Sequence, residues 1–230
     1  MKMPGDIKYR VIFSGRRSIS LIVSPDKGVT VRAPYGTSLK SIERFVQEKS
    51  AWINKHLEKH SGLTRVNQGK KYIDGELHLY LGKEHQLKIT ESEQLFVRIS
   101  DWIIEIGTNS ISDKLKIKVL LDLFYVRQAR AYLAGRFEEI AGRLRNRGFF
   151  PAGFSVKTLK SRWGSCSFHG RITISSELIK LDPVFADYVI IHELCHLKHH
   201  NHGKAFYALL EELAPDYKSI RKELRKYLTK

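Results

Sequence analysis

The stretch DPVFADYVIIHELCH spans residues 182–196, and its last five residues form the motif H-E-x-x-H. A capping Asp followed by Pro at residues 182–183 is typical of a helix start, so we expect a helix over about 183–200. Two histidines four residues apart lie on one face of a helix, one turn apart. The imidazoles of His192 and His196 can therefore reach a single ion, and the motif is typical of zinc sites.

Glu193 follows the first of these histidines, where its carboxylate can take a proton from a metal-bound water. Zinc lowers the pKa of such a water towards neutrality, so a hydroxide nucleophile exists at working pH. The motif therefore predicts metal-assisted hydrolysis with Glu193 as the catalytic base. The candidates for a second group that stabilises the oxyanion are Arg162, Tyr188 and Tyr217.

Three further histidines, His199, His200 and His202, follow the motif and are candidates for a third ligand. An α-helix rises about 1.5 Å per residue, so His192 and His200 would be roughly 12 Å apart on a continuous helix, and His199 meets the same difficulty. Asn and Gly commonly end helices, so the Asn and Gly that flank His202 predict a turn that brings it back. We therefore expect one Zn²⁺ ion held by His192, His196 and His202.

The spacing of His202 matches the third ligand of the metzincin pattern H-E-x-x-H-x-x-G-x-x-H. Two departures argue against that class, because His199 occupies the Gly position and both Met residues lie within the first three positions of the chain. A gluzincin would instead use a downstream Glu as a ligand, for which Glu211 and Glu212 are available. A chance match on an ordinary helix is the remaining alternative.

A second motif, SRWGSCSFHGRITIS, occupies residues 161–175. Ile172 and Ile174 alternate with polar residues, which predicts a strand with one buried face, and the preceding Phe-His-Gly predicts the turn of a hairpin. An exposed edge strand beside a metal can hold an extended substrate by main-chain pairing. The candidate substrate-binding residues are Arg162, Trp163, Gly164 and Ser165. Alternatively, Trp163 is a core aromatic residue and Gly164 shapes a β-bulge.

Several parts of the chain together closely resemble the YgjP-like metallopeptidase family, which is related to SprT-like and WLM-type zinc proteases. The matching segments are RWGSCS at 162–167, DYVIIHELCH at 187–196, NHGKAF at 201–206, VRAP at 31–34 and YLG at 80–82. The resemblance therefore covers nearly the whole chain. It implies a compact zincin core with the same three His ligands and with Glu193 as the catalytic base.

Composition limits the class of protein further. The chain has 230 residues, enough to bury a sizeable core, and 42% of them are hydrophobic, well above the level of disordered chains. No apolar run is long enough to span a bilayer, and the N-terminal MKMPGD lacks the apolar segment of a signal peptide. The two cysteines, Cys166 and Cys195, are expected to be buried free thiols in a reducing compartment. These features predict a cytoplasmic protein without a membrane segment.

The charge balance is strongly basic, since 40 Lys and Arg against 24 Asp and Glu give a net charge of +16. Such a field attracts polyanions. Basic residues are concentrated in residues 127–147 and 218–226, yet no helix-turn-helix, zinc-finger or RNP motif accompanies them. Non-specific nucleic-acid binding and an ordinary solvated basic surface both stay open, whereas sequence-specific recognition is not expected.

The hydrophobic periodicity predicts an α+β fold in two regions. Residues 1–108 are expected to form an antiparallel β-rich N-terminal region with one helix, and residues 109–230 a helical zincin-like core with a short β-hairpin. The expected strands are an antiparallel meander at 8–13, 18–23 and 29–32, and longer strands at 76–90 and 94–106. The expected helices are 38–60, 112–147, 183–200, 204–213 and 217–228.

The sequence therefore predicts a zinc-dependent hydrolase, specifically a metallopeptidase that acts on a peptide or protein substrate. Two other classes stay open: a metal-dependent hydrolase of nucleotides or phosphoanhydrides, and a non-catalytic zinc-containing module that associates with nucleic acid. No Gly-rich phosphate loop favours the first. An intact Glu193 and only three protein ligands argue against the second, because structural zinc sites normally have four, although a fourth ligand such as Glu211 would favour it.

Overall fold

The computed structural model describes residues 7–24, 28–61, 64–65, 69–159 and 161–228. The chain divides into two compact units, Met1–Leu63 and Thr64–Lys230. Both units combine helices with strands, which confirms the predicted α+β class. The boundary predicted between residues 108 and 109 lies inside the second unit, between a strand and a long helix.

The first unit contains a three-stranded sheet and two helices. Its elements are β1 (Tyr9–Ser14), β2 (Ser20–Ser24), β3 (Gly28–Pro34), α1 (Leu39–Glu48) and α2 (Ser50–Ser61). The sheet order is β1-β3-β2, and β1 runs parallel to β3. The predicted antiparallel meander is therefore wrong in its strand order. β3 lies at the centre and is the most buried of the three strands, with Val29, Val31 and Ala33 in the core, because a central strand has a neighbour on both sides.

The helix predicted over residues 38–60 forms as two helices that meet at Lys49. Ser38 caps the first of them as expected, because its Oγ accepts a hydrogen bond from the Ser41 N–H at 3.2 Å. Ile42, Val46 and Ile53 are buried and form one core cluster with the inner residues of β3. The apolar periodicity predicted the buried face correctly, whereas it did not indicate the break.

The second unit contains a four-stranded sheet. Its strands are β5 (Leu77–Tyr80), β6 (Lys83–Glu91), β7 (Phe96–Ser100) and β8 (Ile103–Thr108), in the order β5-β6-β8-β7. β6 and β8 are parallel, and the other two pairs are antiparallel. A separate two-stranded pair joins β4 (Thr64–Arg65) to β12 (Tyr227–Leu228). The sequence has a turn signal at Leu81-Gly82-Lys83, and the structure confirms it, because the chain turns there between β5 and β6. The longer strand predicted at 94–106 is also divided, by a turn at residues 101–102 that was not predicted.

The turn between β5 and β6 lies against the start of the helix that carries H-E-x-x-H. Gly82 has a φ of 77°, and a Cβ added there would lie 2.9 Å from the Cα of Asp182. The adjacent Leu81 N–H donates to the Ile179 carbonyl at 2.7 Å. Only Gly permits both the left-handed backbone and this close approach, so the sheet fixes where the helix begins.

A long helix, α3 (Lys114–Leu144), crosses the unit much as predicted. A 3₁₀ turn at Arg145–Arg147 extends it, and Gly148 ends it in the left-handed conformation, at φ 76°. The Arg136 guanidinium holds both carboxylate oxygens of Asp187 at 2.9 and 2.7 Å. This bidentate pair ties α3 to the helix that carries the motif.

The C-terminal part combines a small sheet with three helices. The strands are β9 (Gly153–Lys157), β10 (Gly164–Cys166) and β11 (Arg171–Ser175), and the helices are α4 (Pro183–Cys195), α5 (Lys204–Leu213) and α6 (Tyr217–Leu224). The order β10-β11-β9 confirms the predicted hairpin and leaves β10 at an edge of this sheet. Among the described helices, none is long and apolar enough to cross a bilayer.

Buried His78 predicts a loss of stability in mild acid. Burial lowers the pKa of His78 to about 4, although Glu76 accepts a hydrogen bond from it at 3.0 Å. The unfolded chain therefore binds more protons than the folded one between pH 4 and the ordinary pKa of 6.5. Stability falls as the pH falls through this window, by about 2 kcal/mol between pH 7 and pH 5. Urea unfolding at pH 7 and pH 5 measures this difference in stability. The difference should shrink in His78→Gln and stay unchanged in the control His169→Gln, which alters an exposed histidine. Equal shrinkage in both variants would contradict the role of His78.

Candidate metal centre

Helix α4 begins where predicted but ends earlier. The Asp182 carboxylate caps its first turn, and its last residue is Cys195 rather than a residue near 200. His196 is the C-cap, and the N–H groups of Lys198 and His199 then both donate to the Cys195 carbonyl, at 3.1 and 3.0 Å. These bonds close one last turn over residues 196–198, after which the regular helical pattern stops.

The three predicted metal ligands come together. The ligand nitrogens of His192, His196 and His202 all lie within 4.8 Å of one another, and the ring centroids are 4.7–5.1 Å apart. His202 reaches this point because the chain turns back between α4 and α5, with the Gly203 N–H donating to the Asn201 carbonyl at 2.8 Å. The predicted Asn-His-Gly turn is thereby confirmed.

One nitrogen of each ring is available to a metal. The Nε2 atoms of His192 and His202 lie 3.0 Å apart. His196 Nδ1 lies 3.0 Å from the His199 carbonyl oxygen, so Nδ1 donates a hydrogen bond and Nε2 is left as the ligand atom. His192 Nδ1 is buried and has no hydrogen-bond partner within the described part of the chain. Three imidazoles around one point form a donor set that suits a divalent transition metal.

The surroundings favour the neutral form of His192 and His202. Burial, together with the neighbouring His196 and His202, lowers the pKa of His192 to about 3. Burial also lowers the pKa of His202. Metal ligands must be deprotonated, so both shifts favour the form that binds a metal at neutral pH.

A phenylalanine that we did not single out from the sequence supports the three rings. Phe206 on α5 is fully buried, and its ring centroid lies 5.0, 4.7 and 4.7 Å from those of His192, His196 and His202. A rigid aromatic surface beneath the imidazoles restricts their rotation. Its position two residues into α5 places it under the triad, although in the sequence it stood out only as part of the matching segment NHGKAF.

The other candidate ligands lie outside the cluster. His200 stacks on Phe168 with centroids 5.2 Å apart, and His199 contributes its carbonyl rather than its ring. Glu211 pairs with Lys218 at 2.7 Å, and Glu212 pairs with Arg147. Within the described ranges, the metal-ligating cluster consists of the three histidines alone. The fourth protein ligand that a closed structural site would need is therefore not found there.

Glu193 lies buried against the edge strand β10. Burial raises its pKa to about 7, while the Arg162 guanidinium and the Cys166 backbone N–H oppose this shift. A Cβ added to Gly164 would lie 2.7 Å from Glu193 Oε1 and 2.9 Å from Val189 Cγ1. Gly164 is therefore required for α4 to approach the strand, rather than for a β-bulge.

Three of the four predicted substrate-binding residues lie around one cavity of about 270 Å³ next to the triad. Arg162, Trp163 and Gly164 line it, together with His192 and Glu193. Ser165 pairs with Thr173 on β11, one position along the strand from Gly164, and strand geometry places it on the opposite face of the sheet. The remaining lining residues are Tyr188, Val189, Arg221, Leu224 and Arg225.

Two arginines of this cavity, Arg221 and Arg225, were missed as site residues. In the sequence the two arginines stand out only as part of a basic C-terminal segment. Nothing in the local pattern indicates that α6 packs beside α4. Both cysteines are free, as expected; Cys195 is buried as predicted, whereas Cys166 is only partly buried. Burial raises the pKa of the Cys195 thiol to about 12, which argues against a thiolate at this position.

A buried carboxylate and three convergent imidazoles beside an edge strand are typical of metal-dependent hydrolases. The chain belongs to the YgjP-like family: it matches that family's metallopeptidase domain over residues 17–227. The family resemblance noted from the motifs is thus confirmed. Membership in this family supports a metal-dependent peptidase that acts on peptide or protein substrates.

Two solved structures are also similar to part of the chain. One is the metallopeptidase zymogen of Pyrococcus abyssi abylysin, 26% identical, covering 40% of this chain and 90% of that one, with a TM-score of 0.35. The other is the metallopeptidase zymogen of Methanocaldococcus jannaschii jannalysin, 23% identical, covering 40% and 92%, with a TM-score of 0.35. Among curated proteins, none matches.

Proposed function

We propose that this chain is a zinc-dependent peptidase with Glu193 as its catalytic base. The observation that carries the proposal is that His192, His196 and His202 converge within 4.8 Å while Glu193 lies buried next to them. Catalytic zinc is typically held by three protein ligands with a fourth position for water or substrate. Family membership supports the peptide bond as the substrate.

The side chains of the site have separate proposed roles. Zinc, when held by the triad, would lower the pKa of a water and polarise the scissile carbonyl. Glu193 would take a proton from the attacking water and pass it to the leaving amine, and a pKa of about 7 suits both transfers near neutral pH. Arg162 and Tyr188 line the cavity, which supports them as candidate donors to the oxyanion. Tyr217 instead stacks on Tyr207.

The edge strand offers a way to hold the substrate. Among the described strands β10 pairs with β11 alone, so its other side is available to pair with an extended peptide by main-chain hydrogen bonds. Gly164 lies on this strand beside Glu193, so a paired peptide would pass close to the base. We propose Arg162, Trp163, Gly164 and Ser165 as the residues that hold it.

Removing a metal ligand provides the direct test of this proposal. We expect one zinc per chain, cleavage of casein or a random peptide library by the zinc-loaded protein, and no cleavage after chelation. His202→Ala should lower zinc affinity by more than the ~10–100-fold typical of losing an outer-shell partner. Elemental analysis and a competition titration with a chromogenic chelator measure stoichiometry and affinity.

His200→Ala is the matched control, because His200 is an exposed histidine two residues away that stacks on Phe168 instead. It should keep both zinc and activity. Equal zinc affinity in His202→Ala and the parent would contradict the triad. Zinc binding without cleavage of any peptide would contradict the peptidase and favour a nucleotide or phosphoanhydride substrate.

The basic charge and the location are further parts of the proposal. Assays with and without DNA test whether the +16 charge couples cleavage to non-specific nucleic-acid binding. Stimulation that disappears at high salt would support such coupling, and salt-independent activity without any effect of DNA would contradict it.

Both cysteines are free, which supports the cytoplasmic location that we propose.

A further inference from the structure

Three arginines surround the cavity beside His192 and Glu193. Arg162 comes from the segment that enters β10, whereas Arg221 lies on α6 and Arg225 is its C-cap. The apolar walls are Trp163, Val189 and Leu224. Positive charge therefore faces the cavity from two different elements, and apolar walls reduce the screening of that charge by water.

These three arginines differ from others in the same unit. Arg98, Arg136, Arg143 and Arg147 each form an ion pair with an Asp or Glu side chain. In the part of the chain that the structure describes, Arg162, Arg221 and Arg225 have no such acidic partner, and Glu193 is the single carboxylate among the lining residues. Three guanidinium groups around one small cavity repel one another, so a negatively charged ligand would be bound favourably.

One of the three arginines, Arg221, is held in place before any ligand binds. Arg221 Nη1 donates to the Tyr207 hydroxyl at 3.2 Å, and its guanidinium lies 5.6 Å from the centroid of the Tyr207 ring. Tyr207 is itself stacked on Tyr217, with centroids 6.0 Å apart. A pre-oriented guanidinium loses little conformational entropy on binding, which is a property of a binding site rather than of a solvated surface.

We propose that this cavity binds a carboxylate of the substrate, so that the enzyme cleaves peptides close to an acidic residue or to a free C-terminus. This inference rests on the proposed peptidase function. Planar guanidinium groups bind carboxylates through paired, charge-assisted hydrogen bonds. At about 270 Å³ the cavity is smaller than the ~300–1,000 Å³ of typical small-molecule pockets, a size that suits one side chain or chain terminus.

Matched peptides test this preference. A quenched fluorescent peptide carries Glu, Gln or Lys at one position near the scissile bond, with an amidated C-terminus, and a fourth peptide carries Gln with a free C-terminal carboxylate. We expect kcat/KM to be about 10–100-fold higher for a carboxylate-bearing peptide than for the amidated Gln peptide. The Glu peptide and the free-acid peptide distinguish the two sources of the carboxylate.

The variant Arg221→Gln/Arg225→Gln should bring that ratio close to one. Lys218→Gln/Lys222→Gln is the matched control, because both lysines are exposed on α6 and neither lines the cavity. This double substitution removes the same amount of positive charge as the arginine variant. Fluorescence anisotropy of the labelled Glu and Gln peptides on zinc-loaded Glu193→Gln, with and without the arginine substitutions, reports binding independently of cleavage. Circular dichroism confirms that each variant is folded.

The outcomes separate the two proposals. Arginine-dependent binding of the Glu peptide without cleavage of any peptide would support the carboxylate site and contradict the peptidase. Equal rates of cleavage for the amidated Glu, amidated Gln and free-acid Gln peptides would keep the peptidase and overturn the carboxylate site. Equal loss of preference in the lysine control would overturn it as well, since bulk charge would then explain the effect. A single-stranded oligonucleotide is a further competitor in this binding assay. If it displaces the peptide and binds more tightly than the Glu peptide in an arginine-dependent way, the cavity would be assigned to nucleic acid instead.

Discussion

Replacing Glu193 by Gln is expected to lower kcat for peptide cleavage by about 10²–10⁴-fold, the usual contribution of a positioned general base. The amide keeps the size of the carboxylate but cannot accept the proton of the attacking water. The three histidines stay in place, because Glu193 is not part of the ligand cluster. Steady-state cleavage of a fluorescent peptide and zinc content, measured on the same preparation, provide the two readouts.

Glu138→Gln is the matched control for this variant. Glu138 is exposed on α3 and does not line the cavity beside the triad, so its substitution should leave kcat unchanged. If Glu193→Gln retained both its zinc and the parent kcat, Glu193 would not be the base. Loss of zinc in Glu193→Gln would instead show that the carboxylate helps to assemble the metal centre.

Gly164→Ala is expected to reduce activity strongly without touching a ligand. The added Cβ would lie 2.7 Å from Glu193 Oε1, 2.8 Å from its Cγ and 2.9 Å from Val189 Cγ1. Either the base moves or α4 and β10 separate, and a displacement of about 1 Å near the reacting atoms can cost about 10²-fold in rate. Overpacking should also lower the free energy of unfolding by about 1–3 kcal/mol.

Kinetics, zinc titration and urea unfolding test this second variant together. We expect a lower kcat, near-parent zinc affinity and a lower unfolding midpoint. Gly135→Ala is the control, because a Cβ there meets nothing within 4 Å and Ala favours the interior of α3 by roughly 0.5–1 kcal/mol. A parent-like kcat in Gly164→Ala would show that the close approach of strand and base is not needed.

The local parts of the site follow from short-range rules. The spacing of His192, Glu193 and His196 places them on adjoining turns of a helix, and an Asp-Pro pair predicts its start correctly. The Asn and Gly around His202 predict the return of the chain. The turn at Gly170 and the alternation of Ile172 and Ile174 predict the hairpin. Each of these depends on residues a few positions apart, so periodicity and turn chemistry suffice.

Other features depend on which distant segments pack together. The central place of β3 follows from the burial of Val29 and Val31 relative to the neighbouring strands, a competition that no single strand's pattern reveals. The end of α4 at Cys195 depends on the turn that follows, in which two N–H groups bond back to the Cys195 carbonyl. Helix periodicity instead predicted an end near residue 200, several residues too late. The support of Phe206 beneath three imidazoles depends on the angle between α4 and α5.

The sequence by itself predicted the candidate chemistry of this protein: the proposed ligand set, the proposed base and the strand beside them, because a metal motif fixes residue types at short spacing. Only the tertiary structure decided the shape and charge of the cavity. Gly164 meets Glu193 across a strand–helix contact, and Arg221 and Arg225 join Arg162 from more than fifty positions away in the chain. Such convergence arises from the packing of α6 against α4, and packing is a property of the whole core rather than of any local pattern.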